Sequence, residues 1–225
     1  MAHVETVNVG PGHELILASL FESDVAVACC SADELPDTFL ADEPWLAQAS
    51  PARQREFFAG RECARRGLAA LALPPVPIAR GAAGEPIWPP GVVGSISHAE
   101  GLCAVVVGHA GLIRGLGVDV EPDRAESMAF ARRVCSPPEL EAMHRIGAPI
   151  ETLAPVIFSA KEATYKLQFP LTQDLGAWAN LEVLLAPETF SVRFRGAAGA
   201  LLHGQAHGRW RRARGFVWTE VTLRQ

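Results

Sequence analysis

"VVGSISHAEGLCAVVVGHAGLIRGLGVDVE", residues 92–121, decides how this chain folds. "VVGSISH" and "LCAVVVG" read as a strand pair joined by "AEG", and "LGVDVE" is a further strand after the short connection "HAGLIRG". Upstream of this block, Ser50 can cap a helix and Pro51 suits its first position. That helix, "PARQREFFAGRECARRGLAALAL", runs until Pro74 and Pro75 stop it. A Pro/Gly-rich loop, "PPVPIARGAAGEPIWPPG", then leads into the strands, and "VAVACC" near the N-terminus is strand-like. Downstream, "SPPELEAMHRI" opens with a capping box made by Ser136, Pro137 and Glu139. "FSAKEATYKLQF" is a second strong helix, and "LEVLLA", "FSVRFR" and "GFVWTEVTLR" alternate as antiparallel strands do. Helices and strands mix without a βαβ rhythm, so the expected class is α+β.

Composition narrows the function. The chain has 225 residues, 49% of them apolar, which suffices for one large domain or two small ones. Its formal net charge of −5 argues against a coat for nucleic acid. The N-terminus "MAHVETVNVG" lacks a signal peptide's basic start and apolar run, and the apolar runs are too short to span a bilayer. Five cysteines (Cys29, Cys30, Cys63, Cys103, Cys135) without a CxxC pair read as reduced, mostly buried thiols. The expectation is a soluble cytoplasmic protein.

Five stretches are candidates to carry chemistry. In "GVDVE", Asp119 and Glu121 lie two apart on a strand, so both carboxylates point to one face and Val118 and Val120 to the other. Such a pair is either solvated or part of a metal site completed from elsewhere. In "FSAKEATYKLQF", Phe158, Tyr165 and Phe169 form an apolar stripe with Glu162 beside it and Lys166 at i+4, while Lys161 flanks the stripe from the opposite side. An i,i+4 ion pair is worth only about a few tenths of a kcal/mol, but an acid beside aromatics wants a cation or a metal. In the long N-terminal helix, Arg53, Phe57, Arg61, Ala64, Leu68 and Leu71 share one stripe, with Arg55 and Arg66 facing away. Arg53 and Arg61 either put their heads in water or meet an anion such as a phosphate, and Arg80 in the following loop could join them. In "GSISHAEG", Ser95 and Ser97 share a strand face and His98 projects oppositely, so Ser97 and His98 do not make a nucleophile–base pair. "HGRWRRARG" sets Arg209, Arg211, Arg212 and Arg214 around Trp210, either as a basic turn between edge strands or as a patch for RNA or an acidic protein.

In order, "FFAGRECAR", "GEPIWPPGVVGSISHAEG", "GLGVDVEP" and "FSAKEATYK" resemble the motif series of the 4′-phosphopantetheinyl transferases, in the Sfp/EntD-like group and its actinobacterial-type members. The resemblance implies transfer of phosphopantetheine from coenzyme A to a serine of an apo acyl or peptidyl carrier protein, leaving 3′,5′-ADP. It implies a monomer of two similar α+β halves, 1–112 and 113–225, with the site between them and no nucleic-acid or membrane partner. Carried over residue by residue, Asp119, Glu121 and Glu162 hold Mg²⁺ or Mn²⁺, and Lys166 binds phosphate and acts in catalysis with Glu162. Arg53, Arg61, Arg80, Ser97, His98 and Lys161 join Lys166 in contacting coenzyme A. One departure stands out: Glu85 sits between Gly84 and Pro86, where some members carry a lysine. A different Mg²⁺-dependent enzyme of nucleotide pyrophosphates and a basic-patch binding module are the competing classes.

Overall fold

The computed structural model describes residues 10–33, 44–194, 199 and 205–225. Its elements run α1 (Pro11–Ala18), β1 (Val25–Ser31), a 3₁₀ turn (Pro44–Gln48), α2 (Pro51–Ala70), the short β2 (Ala79–Arg80) and β3 (Pro86–Ile87), then β4 (Val92–Ala99), β5 (Leu102–His109) and β6 (Ile113–Pro122). Next come α3 (Met128–Val134), α4 (Pro137–Ile146), α5 (Ile150–Thr172), a second 3₁₀ turn (Ala177–Asn180), β7 (Leu181–Ala186), β8 (Thr189–Phe194), β9 (Gln205–Ala213) and β10 (Phe216–Arg224). The α+β expectation holds. The sequence reading ran the helix of "PARQREFFAG" to Pro74; it ends at Ala70. The helix at "FSAKEATYK" begins earlier than its motif, at Ile150, and carries Pro155 and Pro170 inside it.

Among the described residues two large antiparallel sheets result, one ordered β1-β5-β4 and the other β6-β10-β9-β8-β7, and β2 pairs with β3 in a two-stranded ribbon. Alternation dictates the layers. Ala28, Cys30, Cys103, Val105 and Val107 face α2 and its Ala59, Cys63, Ala64 and Leu68. Leu102, Ala104 and Val106 point the other way, against Val118, Val120, Phe216 and Trp218 of the larger sheet, Leu17 of α1 and Leu20 just after it. The outer face of the larger sheet is covered by α5 through Leu153, Ile157, Ala160 and Leu167. Each sheet therefore carries one long helix, with a shared core between the sheets. Burying one core side chain of this kind is worth roughly 1.5–3 kcal/mol.

Side chains join the sheets where the backbone does not. Ser95 Oγ accepts from Val118 N (3.1 Å) and Ser97 Oγ from Val120 N (3.2 Å). Two hydroxyls of β4 thus serve amides on the outer edge of β6, in place of ladder carbonyls.

Two sequence expectations are corrected. Cys30 and Cys63 are joined as a disulfide, because β1 packs under α2 with Cα atoms 5.8 Å apart; Cys29, Cys103 and Cys135 are free and buried. Thus not all five are reduced thiols. The basic run does not lie between edge strands: β9 is internal, between β8 and β10. Three of its four arginines are bonded within the chain, Arg209 to Leu20 O, Arg211 to Ser19 Oγ, and Arg212 to Thr152 O and Asp123.

Candidate active site

The acids come from β6. Gly115, Gly117, Asp119 and Glu121 share the face turned to α5, and a Cβ on Gly117 would stand 1.9 Å from Ala163 O, so only glycine lets helix and strand approach there. This closeness brings Asp119 under the α5 stripe of Ser159, Glu162 and Lys166. Asp119 is buried, and its Oδ1 accepts from Lys166 Nζ (2.7 Å) and Ser97 Oγ (2.8 Å). Its Oδ2 accepts from Ser159 Oγ (2.8 Å), which also bonds Thr219 Oγ1 (2.8 Å). Lys166 Nζ donates further to Ser97 Oγ (2.9 Å) and Val118 O (3.3 Å).

Glu121 and Glu162 are half-buried nearby. Burial, and then the negative charges of Asp119 and Glu162, push Glu121 up to about 7 against the pull of Lys166. Burial and Asp119 raise Glu162 in the same direction. Three carboxylates therefore feel one another in a poorly solvated corner held by one ammonium. Among the described residues they do not converge as a ready-made metal cluster, and Asp119 is engaged by Lys166 instead. The donor set, three carboxylates facing a single ammonium, suits a hard divalent cation.

A second wall is cationic. Arg53, Arg61, Arg80 and His98 line a single cavity of about 120 Å³, together with Glu56, Phe57, Gly60, Gly84, Pro86 and Ile96. Gly84, Pro86 and Ile96 also line an adjoining cavity of about 170 Å³ that reaches Lys166, Tyr165 and Phe169. Arg53 Nη1 donates to His98 Nε2 (2.6 Å) and Glu56 Oε2 (3.2 Å). An arginine can only donate, so His98 accepts at Nε2 as a neutral ring. Burial lowers its pKa; Glu56 opposes the shift, and Arg53 and Lys166 add to it. Arg61 lies 4.2 Å over the Phe57 ring. Glu85, at the departure from the family pattern, folds back over Gly81 and accepts from Ala83 N (3.0 Å), so it shapes its own loop.

Lys161 is not brought to this site. Its ammonium is buried and donates to Glu139 Oε2 (2.8 Å) and Val134 O (2.8 Å), 5.3 Å from the Trp178 ring. The expected coenzyme contact is not served by this placement, because one residue along a helix turns the side chain about 100° away from Glu162. Sequence reasoning missed Glu56, although its i+3 spacing from Arg53 was a usable signal, and it missed Ser159 and Thr219, whose meeting no spacing announces. Another cavity, about 570 Å³ and lined by Leu20, Glu22, His207, Arg209, Glu220 and Arg224 among others, contains none of the expected site residues.

Residues 41–108 match the sequence model of the 4′-phosphopantetheinyl transferase N-terminal domain, and residues 115–219 match that of the 4′-phosphopantetheinyl transferase superfamily. The chain is 33% identical over 216 residues to the 4′-phosphopantetheinyl transferase PptT of Mycobacterium tuberculosis, covering 92% of this chain and 95% of that protein. The chain belongs to the 4′-phosphopantetheinyl transferase family. It is 36% identical over 199 residues to the transferase Npt of Nocardia iowensis, covering 80% of this chain and 87% of that one. Against Svp of Streptomyces mobaraensis the identity is 34% over 186 residues, covering 79% of this chain and 75% of that one. This phosphopantetheinyl transferase is thus of the actinobacterial type, and no helix among its described residues is long and apolar enough to cross a membrane.

Proposed function

We propose that the cationic cavity holds the 3′-phosphate end of coenzyme A and that Lys166 with the three acids forms the reacting end. The activity itself follows from the family: the enzyme transfers phosphopantetheine from coenzyme A to a carrier protein. The observation that carries the site reading is the shared wall of Gly84, Pro86 and Ile96, which joins the three arginines and His98 to Lys166. Arg53, Arg61, Arg80 and His98 bind and orient the nucleotide, and Lys166 stabilises charge on the departing 3′,5′-ADP. Ser97 orients Lys166 and Asp119. Glu162, directly or through a water, takes the proton of the carrier serine. Asp119, Glu121 and Glu162 would hold Mg²⁺, or Mn²⁺ in its place. When bound, such a cation neutralises the pyrophosphate and polarises the phosphorus under attack.

A monomer acting on acyl or peptidyl carrier proteins in the cytoplasm is our reading, supported by the fact that one chain supplies every proposed contact. We take residues 1–112 and 113–225 as its two halves, since the chain leaves the smaller sheet at His109 and enters the larger at Ile113. The test is mass spectrometry of apo-carrier proteins incubated with coenzyme A, Mg²⁺ and the enzyme. A phosphopantetheine adduct on the carrier serine is expected. Release of free phosphopantetheine with no adduct on any carrier would mean a hydrolase of nucleotide pyrophosphates.

A further inference from the structure

We infer that Ser159 and Thr219 form a directed hydroxyl relay that fixes the rotation of the Asp119 carboxylate, and so set the affinity of the acidic corner for a cation. The inference rests on the three-carboxylate reading above. Thr219 is the register partner of Asp119 across β6 and β10, and Ser159 stands over both from α5. Thr219 and Ser159 are fully buried. The direction of each proton follows from bonding capacity. An ionised carboxylate only accepts, so the one hydrogen of Ser159 is committed to Asp119 Oδ2. Thr219 must then donate to Ser159. On the other side, Ser97 Oγ accepts from Val120 N and Lys166 Nζ and donates its own hydrogen to Oδ1. Asp119 is gripped at both oxygens by hydroxyls anchored on three elements.

Such a grip matters because the terminal torsion of an aspartate is broad and roughly two-fold, with little preference of its own. Left alone, the carboxylate would turn freely in its plane. Held, it presents one fixed edge, to Lys166 here and to a divalent ion when one arrives. Ser159 and Thr219 are positioning residues: neither contacts the proposed nucleotide cavity. Hydrogen-bond partners of metal-binding groups typically account for about 10- to 100-fold in metal affinity.

The experiment is Mn²⁺ titration of the full-length chain with coenzyme A present, free Mn²⁺ being read by electron paramagnetic resonance. Ser159→Ala should weaken Mn²⁺ binding by about 10- to 100-fold. Thr219→Val keeps the shape and removes the hydroxyl, and should weaken it by about tenfold, the lower end, because Ser159 keeps its own bond. Thr219→Ser keeps the hydroxyl and loses a methyl, and should bind as wild type does. A merely structural threonine would reverse that ranking of valine and serine. Asp119→Ala separates the two levels of the argument: if it leaves Mn²⁺ uptake intact, the carboxylate site is wrong. If it abolishes uptake while Thr219→Val matches wild type, only the relay falls.

Discussion

Replacing Lys161 by methionine should cost stability and spare coenzyme binding. The substitution keeps most of the buried stem and deletes the ammonium that sits against Glu139 Oε2 and Val134 O. Breaking a buried pair by removing one partner costs about 3–5 kcal/mol, because a charge is left uncompensated. Glu139 keeps two good donors, Ser136 N (2.6 Å) and Val183 N (2.7 Å), so the lower figure, about 3 kcal/mol, is expected. For a chain of this size each kcal/mol moves Tm by roughly 2–4 °C, giving a fall of about 6–12 °C. Adding Glu139→Gln should recover part of the loss, since the stranded charge is then gone. Differential scanning calorimetry reads the first effect, and KM for coenzyme A measured well below the lowered Tm reads the second. A Lys161→Met enzyme with unchanged Tm and a tenfold higher KM for coenzyme A would refute this reasoning and return Lys161 to the substrate.

Lys166→Met should lower kcat by about 10²- to 10³-fold, as loss of one transition-state donor does, and should lower Tm too, because the buried Asp119 charge loses its ammonium; equal turnover would remove Lys166 from the chemistry. Arg53→Ala and Arg61→Ala should each raise KM for coenzyme A by about 10- to 100-fold while barely affecting dephospho-coenzyme A, and Arg55→Ala, paired with Asp33 on the exposed side, should do little. Undiminished preference for coenzyme A in a stable Arg53/Arg61 double variant would place the 3′-phosphate elsewhere. Burial pushes Glu220 up to about 7 from an ordinary 4.5, so the folded chain holds a proton there that the unfolded chain has released. Stability from this group is therefore full below the unfolded value and falls as pH rises through about 7, by on the order of 3 kcal/mol. Glu220→Gln should flatten urea-denaturation stability over that window; an unchanged slope would show that Glu220 is not its source.

Local rules made much of this fold legible. Ser50 does cap α2, Ser136 and Glu139 do form a capping box, and the hairpin turns where "AEG" said it would. Strand alternation correctly set Asp119 and Glu121 on one face and Val118 and Val120 on the other. What stayed hidden depends on elements meeting. Glu139 looked like a capping residue and nothing more, yet its partner Lys161 lies 22 positions on, across a helix interface. Ser159 and Thr219 are 60 apart, and Cys30 and Cys63 are 33 apart; only packing of α5 on β10 and of α2 on β1 creates those pairs. Helix α1 was missed because its eight residues carry the strand-like aliphatic run Leu15, Ile16 and Leu17 and start at a Gly-Pro pair that also suits a loop.

The serine rungs between β4 and β6 mean that the two walls of the reaction cleft meet along a stitched seam rather than a woven one. A woven ladder tolerates almost any side chain, because its threads are main chain. A stitched seam is written in the sequence one letter at a time, at Ser95 and Ser97, and can be loosened one stitch at a time. The spacing between the wall proposed to hold the nucleotide and the wall that carries the acids is thereby open to adjustment by single substitutions. Amide exchange at Val118 and Val120 would report on each stitch separately.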